Sequence, residues 1–63
     1  MRDETPELSS LSTILDDLVA RVVTVATRLQ AEGREGTAGE LYEVERSLLA
    51  AKRRLDTTLR SSG

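Results

Sequence analysis

The chain has no cysteine, histidine, tryptophan or phenylalanine, and Tyr42 is its single aromatic side chain. Without cysteine there is no disulfide staple, which excludes the disulfide-rich secreted class. With neither cysteine nor histidine, a zinc or iron–sulfur site has almost no ligands to draw on. The commonest general base and the best nucleophile of enzymes are missing for the same reason. One aromatic ring is too few for the stacking surface that single-stranded nucleic acids use. An excess of positive charge is also lacking, since nine basic residues are interspersed among eleven acidic ones. A dedicated polyanion binder would show the opposite balance.

Long apolar runs are absent as well. Between Ile14 and Leu29 the hydrophobic stretch is broken by Asp16, Asp17, Arg21 and Arg28, too many charges for a membrane span. The start, MRDETPEL, has no apolar h-region of the kind a signal peptide carries. A membrane-surface helix would place Lys and Arg on its polar face, where residues 6–32 show Ser, Thr and Asp. These absences predict a soluble, cytoplasmic, single-domain protein that needs no cofactor or metal and makes no membrane contact. At 63 residues it sits near the lower limit for a self-sufficient core. Eight arginines against one lysine hint at a GC-rich bacterial genome, because arginine codons are GC-rich.

What is present is helical periodicity. Leu8, Leu11, Leu15, Leu18, Val22, Val25 and Leu29 step by alternating threes and fours, an unbroken heptad seam. The β-branched cluster VVTV suggests a strand, but the register runs straight through it. The first helix is therefore expected over about 6–32, with Thr5 as N-cap, Pro6 at the first position and Glu7 at the positive end of the dipole. A later start at Thr13, with Asp16 as a weak capping partner, is the alternative. The second helix is expected over about 37–60. Thr37 and Glu40 have capping-box spacing, and Leu41, Val44, Leu48, Ala51 and Leu55 continue the pattern, with Thr58 or Leu59 closing it. Its acids come first and its bases last, matching the helix dipole. Residues 1–5 and 61–63 are expected to be flexible ends.

The segment GREGTAGE between the helices spaces Gly33, Gly36 and Gly39 by three, like a phosphate loop. No Lys-Ser/Thr pair follows Gly36, as a Walker loop requires, and no strand precedes it, as a dinucleotide fingerprint requires. The segment reads instead as a stop, turn and restart: Gly33 ends the first helix, 33–36 turns, and Thr37 caps the second. So short a turn predicts an antiparallel helical hairpin, an all-α fold.

One hairpin leaves too much apolar surface. Ile14, Val19, Val23 and Ala26 lie off the first seam, and Tyr42, Leu49 and Leu59 lie off the second. The expected remedy is a homodimer, two hairpins forming a four-helix bundle. Its interface would use Leu15, Leu18, Val19, Val22, Val23, Val25, Ala26 and Leu29.

Catalysis has little to stand on, because Asp16–Asp17 and Glu43/Glu45 point apart on a helix. The leading functional reading is a non-enzymatic protein-interaction module, a small adapter or regulator. Arg46, Arg53 and Arg60 recur every seven residues opposite the Leu41/Leu48/Leu55 line, and would meet an acidic protein partner. Ion pairs such as Glu43–Arg46 and Asp56–Arg60 would otherwise leave them a solvated face. Tyr42 and Leu49, two turns apart, would be the apolar anchor. Two alternatives remain: a regulatory module binding nucleic acid or an anionic ligand through paired arginine stripes, and a small structural subunit of a larger complex.

Overall fold

A computed structural model describes residues 4–62 as two helices, α1 (Thr5–Ala31) and α2 (Glu35–Ser62). They fold back on each other as the expected antiparallel hairpin, a rod measuring 52 × 14 × 11 Å. VVTV is helical throughout. The Thr24 hydroxyl donates to the Ala20 carbonyl at 3.0 Å, which satisfies its polar atom inside a helix.

The turn is built on Gly33, whose φ of +82° lies in the left-handed region. The Gly33 N–H donates to the Gln30 carbonyl at 3.1 Å and the Arg34 N–H to the Leu29 carbonyl at 2.9 Å. This pair of bonds is a Schellman motif, and it closes α1 within one turn. The chain then restarts early. Ala38 N–H already donates to the Arg34 carbonyl at 3.0 Å, so α2 begins at Glu35 and the connection is only Glu32, Gly33 and Arg34. Thr37 therefore lies inside the first turn of α2, and the capping box expected with Glu40 does not form. At the other N-terminus, Glu4 occupies the cap position and Thr5 is the first helical residue, one step earlier than the spacing suggested. Residues 1–3 and 63 of the expected flexible ends lie outside the described residues. Thr5 and Ser61 are helical.

The seam between the helices differs from the expected one. On α1 the residues drawn out of solvent along the seam are Leu8, Ser12, Leu15, Val19, Val22, Ala26 and Leu29, with Thr5 and Val23 beside them. On α2 they are Ala38, Leu41, Glu45, Leu48, Lys52, Leu55 and Leu59, with Tyr42 and Asp56 beside them. Both lines still alternate threes and fours, and both keep the shared rows Leu8/Leu15/Val22/Leu29 and Leu41/Leu48/Leu55. What changes is the second row of each helix. Leu11, Leu18 and Val25 give way to Ser12, Val19 and Ala26, while Val44 and Ala51 give way to Glu45 and Lys52.

Two features explain that rotation. Ala26 and Ala38 are the only fully buried residues described, at 0% and 2% exposure, so the helices approach closely beside the tight turn, where small side chains allow it. Farther along, Lys52 covers the seam with its aliphatic stem and carries its ammonium to the edge, where Asp16 and Asp56 meet it. Among the described residues, no large side chain is fully buried.

Candidate functional site

The hairpin has two unlike edges, and the interhelical contacts define them. Ser12 Oγ donates to Asp56 Oδ1 at 2.9 Å, and Lys52 Nζ donates to Asp56 Oδ2 at 3.0 Å. Lys52 Nζ also lies 3.5 Å from Asp16 Oδ1 on the opposite helix. Nearer the turn, Tyr42 OH donates to Gln30 Oε1 at 3.2 Å. All of these bonds close one side of the seam. Residues 9, 16, 23 and 30 of α1 and 35, 42, 49 and 56 of α2 recur at heptad intervals along it.

The charges on this edge respond to one another. The hydrogen bond from Lys52, followed by that from Ser12, holds the Asp56 carboxyl below its ordinary value, against the opposing effect of desolvation. The bond to Asp56 likewise raises Lys52, with Asp16 adding to it. Both ions are favoured in their charged forms, and the edge acts as a clasp.

The candidate partner residues adjoin the clasp. Arg46, Arg53 and Arg60 are exposed on the outer face of α2. Each follows a residue of the clasp edge by four positions: Arg46 follows Tyr42, Arg53 follows Leu49, and Arg60 follows Asp56. Side chains four apart share a helix face, so the stripe and the Tyr42/Leu49 pair make one continuous strip. Arg46 pairs with Glu43 at 3.5 Å, as the spacing suggested. Arg60 donates to Thr57 Oγ1 at 3.5 Å, while Asp56 takes its hydrogen bonds from Ser12 and Lys52. Leu49 is exposed and Tyr42 half-buried.

The opposite edge is apolar. Leu11, Leu18 and Val25 of α1 and Val44 and Ala51 of α2 flank the seam there, all exposed. Ile14 lies beside them at 59% exposure, the most open of the large apolar side chains among the described residues. Of the eight residues expected at a dimer interface, Leu15, Val19, Val22, Val23, Ala26 and Leu29 are wholly or partly withdrawn from solvent within the chain itself, while Leu18 and Val25 remain exposed. Two shallow surface hollows lie on α1. One is lined by Ala20, Arg21, Thr24, Val25 and Arg28, the other by Ser9, Ser10, Thr13 and Ile14, and both are open to solvent.

Sequence reasoning missed the clasp. Its signal was present, because Lys52 and Asp56 are an i,i+4 pair and Ser12 and Asp16 are another. Nothing in either helix alone says that the two pairs meet. Among the described residues, no helix is long and apolar enough to cross a membrane, and no three His, Cys, Asp or Glu side chains gather where they could hold a metal ion. In comparisons with known proteins, no family model, no curated sequence and no solved structure matches this chain.

Proposed function

We propose that this chain is a non-enzymatic protein-interaction module, a small helical adapter or regulator that works as a homodimer. The observation that carries the reading is the division of the surface. The hairpin fills its own seam yet leaves Leu11, Ile14, Leu18, Val25, Val44 and Leu49 exposed, and most of these lie in heptad rows. Apolar side chains in ordered rows on a small protein mark binding surfaces. The strip of Tyr42, Leu49, Arg46, Arg53 and Arg60 combines an apolar anchor with a flanking line of positive charge, a composition suited to an acidic protein surface.

The test compares two baits in a native capture experiment, the unaltered chain and the Arg46→Glu/Arg53→Glu/Arg60→Glu variant. The variant is expected to keep its helical circular dichroism while losing a protein that the unaltered chain retains. If both baits retain the same protein equally, the strip has no such role. A bound species that washes off steeply between low and moderate salt would point to phosphate contacts instead.

A further inference from the structure

The apolar edge has a feature that fits one occupant best. Its residues are the discarded half of a double pattern. On α1, the row Leu8/Leu15/Val22/Leu29 is shared by two heptad lines. One line adds Ser12, Val19 and Ala26 and faces α2; the other adds Leu11, Leu18 and Val25, which stay 47%, 41% and 39% exposed. On α2, Leu41/Leu48/Leu55 is shared in the same way, with Val44 and Ala51 on the unused side. A helix with two such lines touches two neighbours, which is the arrangement of a four-helix bundle. The shared rows are half-buried in the hairpin, and a second pair of helices would complete their burial.

We propose that a second copy of this chain covers the edge, with its turn at the same end, so that α1 of each copy lies against α2 of the other. This deepens the homodimer reading above by naming the face and the register. Three observations favour it. The Asp16–Lys52 and Ser12–Asp56 contacts set the antiparallel register. That register puts Leu18 level with Ala51, Val25 with Val44 and Leu11 with Thr58, to within a residue. In a same-end pair Leu11 and Leu18 of α1 meet the smaller Thr58 and Ala51 of the other copy's α2, and Val25 meets Val44, which keeps the two helix gaps even. With turns at opposite ends α1 would lie against α1 and α2 against α2, so the larger side chains would crowd one gap and the smaller ones would line the other. The same register brings Arg28 level with the opposite charge of Glu40 at the rim.

Area agrees as well. The chain exposes 4832 Å², whereas a compact monomer of its 6.9 kDa exposes about 4000 Å². The elongated 52 × 14 × 11 Å shape accounts for surface that lateral pairing of two rods would cover. Pairing on this edge leaves the two arginine strips facing outward on opposite sides of the bundle. They are then free for another protein and do not converge on one anion.

Two measurements test the proposal. Sedimentation of the unaltered chain at micromolar concentration should show a folded dimer, and a folded monomer would overturn the self-contact. The strip would still be judged by its own capture experiment. For the register, a Leu18→Cys chain is mixed with an Ala51→Cys chain under mild oxidation. The mixed disulfide dimer, identified by mass, should exceed the Leu18→Cys self-dimer severalfold. A Ser10→Cys and Thr57→Cys mixture, with both thiols on outward faces, sets the background. Dominant Leu18→Cys self-crosslinking would overturn the same-end arrangement, and mixed yield no higher than background would overturn the choice of face.

Discussion

Ser12 and Asp56 stand 44 residues apart in the chain and are joined by a 2.9 Å hydrogen bond. Asp56 also accepts from Lys52, which reaches back to Asp16 on α1. A single carboxylate thus ties the start of one helix to the end of the other, at the opposite extremity from the covalent turn. The hairpin is held at both ends by different means. Near the turn, backbone hydrogen bonds and two buried alanines do it; at the open end, the clasp does.

The clasp makes stability depend on acid. The Asp56 carboxyl is held below its ordinary value of 3.8 by Lys52 and Ser12. Its contribution is therefore complete above that value and is lost as pH falls through the lower folded-state value. Lys52 is raised above 10.5, so its share is complete below that pH and fades as pH climbs through the raised value. Asp56→Asn should lower the thermal midpoint at pH 7 and have progressively less effect at an acidic pH below 3.8, as the contribution of the carboxylate is lost. Equal shifts at both pH values would show that the charge on Asp56 contributes nothing.

Gly33 and Gly39 should respond oppositely to alanine. At Gly33 the backbone is left-handed, and an L side chain there costs about 1–2 kcal/mol. Gly39 lies within α2, with nothing inside 4 Å of an added Cβ. Gly39→Ala should gain roughly 0.5–1 kcal/mol by removing the helix penalty of glycine. Chemical denaturation of the two variants gives the comparison directly, and a stabilised Gly33→Ala would contradict the turn described.

Ala26 and Ala38 mark the closest approach of the helices, and both are almost fully buried. Ala26→Leu should destabilise by about 1–3 kcal/mol, because the added carbons have no space beside a short, fixed turn. The same substitution at Ala50, exposed on the outer face of α2, should have little effect. Denaturant midpoints that rank the two the other way would place the tight contact elsewhere.

Thr37→Ala separates the capping box from the early restart. A threonine that caps a helix costs about 1 kcal/mol when replaced by alanine. Since α2 begins at Glu35, the change should be well under that figure, close to the small difference in helix propensity between the two residues. A loss near the full capping value would restore Thr37 to the cap.

The fold class and the two helices were legible because they depend on local properties. Alternating steps of three and four, an acidic N-terminal half and basic C-terminal half of α2, and a glycine at the end of α1 each act within a few residues. The Arg46/Arg53/Arg60 periodicity was visible for the same reason. The Thr37–Glu40 spacing misled because a capping box is a local preference, and the Schellman bonds at Gly33 let α2 start two residues before it.

Local residue patterns are enough to form two amphipathic helices, to separate them at Gly33 and to give each an apolar arc wider than one contact needs. Each shared leucine row, however, could pair with the row on either side of it, and composition favoured the greasier one. The choice between them is made by packing of one helix against the other. Close packing at Ala26 and Ala38, together with the clasp of Ser12, Asp16, Lys52 and Asp56, rotates both helices so that the more polar rows face each other. Leu11, Leu18, Val25, Val44 and Ala51 consequently remain outside. That choice rests on contacts between residues tens of positions apart, which no pattern within one helix contains.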